Sequence, residues 1–375
     1  MYQQEFQGDV FYMMFYAVVA TLSMIASCYL LFRRANTIAP NVTPPVRLRR
    51  WTAAFFASMT LSHVWYMPIL FLTTSDDVKL NYLIGALLDY LIVLPLGIIV
   101  LFVMLQDRRR PLWPAFVMTA PPVVIIAWYV VTRSDTLLPI LYAYLILLCV
   151  CLVIYMVRAV RQYGHWLRDN YADLEHKEVW QSFVVLSIIL LVFGIYAIGA
   201  RGPASLYVFE INDIVLICYL LWRVETLNDL SLPVNDAAEE MVNTEHEEDN
   251  ALSLSMRIDI GPLLKMYCEE PQLYLQHDLS LFQLAKAIGT NRFYLSQYFS
   301  SQGMNYNAYI NDLRIDYFIS LYREAVTAQR SFTVQQLAFE SGYRSYNTFR
   351  NAFKRKTEQS VTAWMKDVHE GDEKP

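Results

Sequence analysis

Charge is scarce in this chain: of its 375 residues, 17% are Asp, Glu, Lys or Arg and 55% are hydrophobic. That balance excludes an ordinary soluble globular protein, in which about a quarter of residues are charged. Glycine is sparse as well, at 12 residues, and no Gly-rich loop suited to cradling a nucleotide phosphate occurs. The five cysteines, Cys28, Cys149, Cys151, Cys218 and Cys268, give neither a metal-ligand spacing nor a disulfide framework. No nucleophile motif or metal triad lies in the apolar region, so no enzyme activity, metal or cofactor is expected. The first apolar run has no basic residue before it and Arg33 and Arg34 after it, and no cleaved signal peptide is expected. Ile25, Ala26, Ser27 and Cys28 resemble a lipoprotein cleavage box; without a basic N-terminal region, Cys28 reads as a membrane-buried side chain.

What the chain has in abundance is apolar length. Seven stretches before residue 224 approach the ~20 residues needed to cross a bilayer: 10–32, 51–74, 81–105, 112–132, 136–157, 179–199 and 204–222. Pro121, Pro122 and Pro139 interrupt the fourth and fifth. Alternate loops are basic, carrying Arg33, Arg34, Arg47, Arg49 and Arg50, then Arg108, Arg109 and Arg110, then Arg158, Arg161, Arg168 and Lys177, then Arg223. The remaining loops hold only Lys79, Arg133 and Arg201. Basic loops stay on the cytoplasmic side, which predicts an external N-terminus, a cytoplasmic C-terminus and an odd number of spans.

Ionisable groups in hydrocarbon are costly unless paired or facing a cavity. His63, Asp89, Glu210 and Asp213 all fall roughly 9–16 Å below the outer surface at ~1.5 Å per residue, and Glu210 and Asp213 share one helix face. They are expected to line an outward-open sensory pocket for a small cation or polar ligand. Hydrogen-bonded packing between helices is the alternative, and both stay open.

Two cytoplasmic segments stand out. Arg158 to Val179 mixes Tyr163, Trp166, Leu167, Tyr171 and Leu174 with charges, which suits a helix along the headgroups, a segment docked on the C-terminal domain, or a solvated extension of the fifth span. Residues 225–255 carry nine acids and no Lys or Arg, and such a run is expected to be a flexible linker.

Beyond the linker the pattern becomes that of a helical domain. In FTVQQLAFESGYRSYNTFRNAFKRK, Phe332 to Lys356, Thr333 and Gln336 form a candidate reciprocal cap for a helix of about nine residues, and Gly342 ends it. Ser345 then caps a second helix whose Phe349 and Phe353 bury one side while Tyr346, Asn347, Arg350, Asn351 and Lys354 line the other. The pattern is duplicated: in LSLFQLAKAIGTNRFYLSQYF, Ser280, Gln283, Leu284, Ala285, Gly289, Leu295 and Phe299 repeat it at an offset of 53 residues before the glycine and 54 after it. YNAYINDLRIDYFISLYREA, Tyr306 to Ala325, has the apolar spacing of a helix long enough to connect the two.

From about Arg257 to Met365 these motifs resemble the DNA-binding domain of AraC/XylS-type bacterial transcription regulators: LA-x3-G-x5-LS-x2-F, YIN-x2-RI, then LA-x3-GY-x-S-x3-F-x3-FK. The chain departs from the family at Glu358, where Gly is usual, at Val361, where Pro is usual, and in a loop one residue short after Phe299. The resemblance implies an all-α fold with two helix-turn-helix units joined by a long helix, following the seven-span bundle. The expected division is a membrane domain over 1–224, the linker over 225–255, a DNA-binding domain over 256–368 and a disordered tail over 369–375.

Residues 256–375 hold 14 Lys and Arg against 13 Asp and Glu, so DNA affinity has to come from local arrangement. On the second recognition helix Tyr346, Asn347, Arg350 and Asn351 are candidates for base edges, with Ser345, Lys354 and Arg355 on phosphates. On the first, the resemblance and outward spacing point to Asn291, Arg292, Phe293, Ser296 and Gln297, with Phe293 either on a thymine methyl or in the core. Arg314 reads as a buried ion-pair partner. The expected protein is a one-component transcription regulator in the bacterial cytoplasmic membrane, with double-stranded promoter DNA, the lipid bilayer and RNA polymerase as partners. Pairing with a second copy as a homodimer stays open. The competing reading is a membrane receptor or transporter whose C-terminal domain is a protein-interaction module.

Overall fold

The computed structural model describes residues 9–230, apart from interruptions at 34–35, 37, 40–41, 73, 107–109, 135 and 200–202, and residues 259–372. Arg34, Arg108, Arg109 and the acidic linker from residue 231 onward lie outside the described residues. The chain divides into two compact units, one of Met1–Arg161 with Val179–Leu232, the other of Gln162–Glu178 with Pro233–Pro375. Among the described residues the chain is all-helical, with one isolated antiparallel bridge between Tyr171 and Ser280.

In the first unit the helices are α1 Val10–Phe32, α2 Val46–Tyr66, α3 Ser75–Leu88, α4 Leu94–Met104, α5 Trp113–Thr132, α6 Leu138–Asn170, α7 Trp180–Gly199 and α8 Pro203–Thr226. Among the described residues, five runs are long and apolar enough to cross a membrane: Val10–Phe32, Val46–Leu70, Asp76–Met104, Trp113–Thr132 and Leu138–Asn170. In the sixth expected stretch the described side chains of α7 give the apolar run Trp180–Val192, and the seventh, α8, carries Glu210 and Asp213 in its interior. Large apolar side chains cover the outside of this unit as well as its core. His63 and Glu210 are buried, whereas Ile146, Leu147 and Val150 on α6 and Val124 on α5 face outward.

Local chemistry explains how the interrupted stretches stay helical. Pro122 cannot donate to the carbonyl of Met118, and the Tyr144 hydroxyl donates to that oxygen instead at 2.8 Å. Pro139 sits in the first turn of α6, where no donor is lost. Between α3 and α4 the chain makes a π turn, Asp89–Val93, just before Pro95. Small residues let α1 and α2 approach closely, with Ser27 donating to the Ala53 carbonyl at 2.8 Å and Ser23 paired with Thr60 at 2.7 Å. Two expected boundaries are corrected: Glu225, expected in the flexible linker, belongs to α8, is fully buried and faces Arg49 at 3.4 Å, and the tail expected to be disordered from residue 369 is helical as far as Asp372.

The second unit holds α9 Ile260–Leu264, α10 Leu281–Ala287, α11 Arg292–Ser301, α12 Tyr306–Thr327, α13 Val334–Glu340, α14 Tyr346–Thr357 and α15 Val361–Asp372. It has two hydrophobic cores. Leu284, Leu295, Phe299, Tyr306 and Ile310 belong to the first, and Ile315, Phe318, Tyr322, Phe349 and Phe353 to the second. The 22-residue α12 serves both, with Ile310 in one core and Phe318 and Tyr322 in the other.

Candidate nucleic-acid interface

Each end of the second unit presents a short helix, a turn and a longer helix with a polar outer side. At the first, Ser280 caps α10 in a reciprocal box with Gln283, whose side chain returns to the Ser280 N–H at 2.9 Å. At the second, Thr333 accepts from the Gln336 N–H at 3.1 Å, but the Gln336 side chain turns to Glu340 at 2.9 Å. The expected reciprocal box is therefore absent there, the Gln336 Nε2 donating to Glu340 one turn on while its side chain does not return to the Thr333 N–H. The helix it caps, α13, is seven residues long rather than nine.

The turns rest on glycine. Gly289 and Gly342 adopt φ of 73° and 91°, the left-handed region. A Cβ on Gly342 would lie 2.9 Å from both the Cα and the carbonyl oxygen of Leu275, whereas one on Gly289 would meet nothing within 4 Å. The Gly342 carbonyl also pairs with the ring of His277 at 3.0 Å.

On α14 the two phenylalanines are fully buried, with Phe349 and Phe318 ring centroids 4.5 Å apart. Asn347, Arg350, Asn351, Lys354 and Arg355 are exposed. Tyr346 is partly buried against the second core, its ring centroid 5.8 Å from that of Phe349. Ser345 occupies the N-cap position, but its side chain makes no capping hydrogen bond, a correction to the expected cap. Arg355 reaches back to the Asn307 side chain at 3.3 Å.

On α11, Arg292 and Gln297 are exposed and Ser296 is partly buried. Asn291 is the N-cap and accepts from the Tyr294 N–H at 2.9 Å, which commits its carbonyl oxygen to the helix. Phe293 is 68% exposed, which removes it from the core. The Cys268 thiol is buried and its pKa is pushed up to about 12 by that burial, so it is a packing group rather than a reactive one.

The corners where the sequence departs from the AraC/XylS pattern are formed nevertheless. Glu358 ends α14 with φ of 60°, taking the left-handed backbone that Gly would take without strain. Val361 is buried and opens α15 within the second core. After Phe299, Gly303 turns the chain at φ 70° and the Met304 N–H closes on the Phe299 carbonyl at 3.1 Å.

Arg314 is fully buried at the centre of α12. It donates to the carbonyls of Tyr274 at 2.7 Å and Gln276 at 2.8 Å and pairs with Asp173 at 3.0 Å. Sequence reasoning anticipated a buried ion pair but not its partner, which lies 141 positions earlier.

In the first unit, three residues of α2 gather the expected pocket residues. His63 faces Glu210 at 3.2 Å, while Ser62 and Tyr66 each donate to Asp89 at 2.9 Å. Tyr12 also donates to Glu210 at 3.4 Å, and Asp213 lies one turn farther along α8, partly buried. The Tyr16 hydroxyl donates to the His63 carbonyl at 2.5 Å. Among the described residues no group of three metal-ligating side chains is assembled.

No curated protein and no solved structure matches the chain. Residues 284–367 match the family model of a helix-turn-helix domain of the AraC type. The polar-faced helix pairs described above fall within the matched segment, except for the first turn of α10 and the end of α15. By its C-terminal part, therefore, the chain carries an AraC-type helix-turn-helix domain, the DNA-binding domain of a family of transcription regulators.

Proposed function

We propose that the protein is a one-component transcription regulator embedded in the bacterial cytoplasmic membrane, which reads promoter DNA with α11 and α14 and senses through its membrane bundle. The observation that carries the reading is α14: two fully buried phenylalanines fix one side of the helix while Asn347, Arg350, Asn351 and Lys354 stand exposed on the other. A helix anchored in this way presents a constant set of donors and acceptors to a major groove. Arg350 is assigned to a guanine edge, Asn347 and Asn351 to adenine, and Lys354 to phosphate. Arg292, Phe293 and Gln297 are the corresponding groups on α11, with Phe293 on a thymine methyl. Ser345, Tyr346, Ser296 and Asn291 sit at the margins and bear on the backbone, as does Arg355 once it leaves Asn307. At ~1.5 Å per residue, the 22 residues of α12 span about 33 Å, close to one turn of DNA, so one chain reads two successive grooves.

The seven helices α1, α2, the α3–α4 pair, α5, α6, α7 and α8 serve as seven spans with the C-terminus in the cytoplasm. Inside them, His63, Asp89, Glu210 and Asp213 form the signal-receiving cluster. The hydrogen bonds they already make to Tyr12, Ser62 and Tyr66 mean that a cation or polar ligand acts by competing for those partners and so repacking α2. RNA polymerase is the downstream partner.

In a gel-shift series with the full chain in lipid nanodiscs, Arg350→Ala should lose about 1–3 kcal/mol of discrimination at one base position. Lys354→Ala should weaken all sequences alike and lower the salt slope by about one. Equal losses on specific and random DNA from Arg350→Ala would refute the assignment and favour a protein-interaction module. Joint replacement of Asp89, Glu210 and Asp213 that leaves promoter output unchanged across candidate ligands would remove the sensory cluster.

A further inference from the structure

The DNA-binding unit is not one continuous piece of chain. Its compact body includes Gln162–Glu178, the last turns of α6 and the loop that follows them, far from the rest of the unit in sequence. This strap touches the start of α10, the middle of the body along α12, and the flank of α14. Tyr171 pairs with Ser280, and the Ala172 N–H donates to the Leu279 carbonyl at 3.2 Å, at the cap of α10. The Ala172 carbonyl accepts from the side chains of Asn307 at 2.5 Å and Asn311 at 3.2 Å, on α12. The Asp173 carboxylate accepts from Arg314 and, at 2.9 Å, from the Asp278 N–H. Lys177 pairs with Asp278 at 2.9 Å, and Glu175 accepts from Thr348 on the flank of α14 at 3.4 Å.

These contacts are not those of a loop lying on a finished surface. Arg314 is fully buried and Asn307 and Asn311 are 3% exposed, so their partners have to come from protein. Without the strap, the buried guanidinium loses the Asp173 carboxylate and two buried amides lose an acceptor, and leaving such groups unpaired is strongly destabilising. The strap is also continuous with the membrane unit, since α6 begins within one unit and ends within the other.

We propose that Tyr171–Lys177 is an obligatory component of the DNA-binding unit, contributed by the membrane domain, and that the regulator works attached to the membrane. Cutting the linker does not free an active DNA-binding fragment, because the fragment remains held by the strap and is incomplete once it leaves. Signals from the bundle then have a route through α6 to α12 and α14 that bypasses the acidic linker. Docking stands apart from DNA reading, and only this last consequence rests on the regulatory function.

The test uses the full chain in membranes, with a site-specific protease sequence inserted between residues 240 and 241. After cleavage the C-terminal fragment should sediment with the membranes, and combined Asp173→Ala and Lys177→Ala should release it to the supernatant. In parallel, uncleaved chain carrying Glu175→Cys with Thr348→Cys should be joined by a short bis-maleimide well above the yield of either single variant. This second arm needs no destabilising change and decides the matter if the strap variant simply aggregates. Release of the fragment from unsubstituted membranes, or cross-linking no higher than in the single variants, overturns the proposal. A docked chain that shifts no DNA would instead contradict the proposed function and leave docking standing.

Discussion

Gly342 and Gly289 occupy equivalent turns, yet the surroundings make their replacement by alanine unequal. Both are left-handed, so either change costs about 1–2 kcal/mol in backbone strain. At Gly289 that is the whole cost, since the new methyl meets nothing within 4 Å. At Gly342 the methyl would stand 2.9 Å from the Leu275 backbone and 3.1 Å from Nε of Arg314. Backbone cannot rotate away as a side chain can, and forced overpacking adds about 1–3 kcal/mol. Shifting the turn also weakens the bond between the Gly342 carbonyl and His277, worth about 0.5–1.5 kcal/mol. The expected gap between the two variants is therefore about 1.5–4.5 kcal/mol, or ~1–2 M in urea midpoint at a typical slope of ~2 kcal/mol per molar. Pulse proteolysis of the detergent-solubilised full chain across a urea series, following the C-terminal domain, measures it. Equal midpoints for Gly342→Ala and Gly289→Ala would refute the crowding argument and with it the packing of this turn on Leu275.

Phe293 and Phe299 give a second contrast. Phe293→Ala should leave domain stability within about 0.5 kcal/mol and weaken DNA binding, whereas Phe299→Ala should cost about 3–5 kcal/mol; equal destabilisation in the same urea series would contradict the exposure of Phe293. Glu358→Gly should stabilise the domain by about 1 kcal/mol, because glycine takes a positive φ without a Cβ penalty, and an unchanged or lower midpoint would count against the strained corner. Burial raises the pKa of Asp278, but Lys177, Arg344 and His277 outweigh it and hold the carboxyl below its usual 3.8. A lowered folded-state pKa means stability that is present above the unfolded value and lost as pH falls through the folded one. The docked strap should accordingly loosen below about pH 4, and cross-linking of the Glu175→Cys, Thr348→Cys chain with an acid-tolerant thiol reagent should fall there in the wild-type background but already be low at neutral pH in Asp278→Asn.

The helix pairs were legible because their determinants are local. A capping residue, a glycine and phenylalanines four apart lie within 25 positions, and duplication doubled the signal. Where two partners compete, local reading faltered: Gln336 satisfies Glu340 instead of closing the cap on Thr333, and Ser345 holds the cap position without bonding. Residues near the ends of elements were equally ambiguous. Glu225 looked like the first acid of a linker, yet it lies in α8 and faces Arg49, a residue far away in sequence. The proline-broken stretch held as a helix through Tyr144, 22 positions beyond the proline it compensates. Least legible was the strap. Asp173 and Arg314 meet across 141 positions, and no periodicity links them. A fully buried arginine demands an anion, but sequence alone does not say which carboxylate supplies it.

The central claim is that one membrane-held chain reads DNA through two helices fixed one helical turn apart. Selection from random duplex DNA by the full chain in nanodiscs tests it most directly. The account predicts enrichment of a non-palindromic site with two short conserved blocks about 10–10.5 base pairs apart, centre to centre. Recovery of DNA with no common sequence, or of a single block alone, would contradict it.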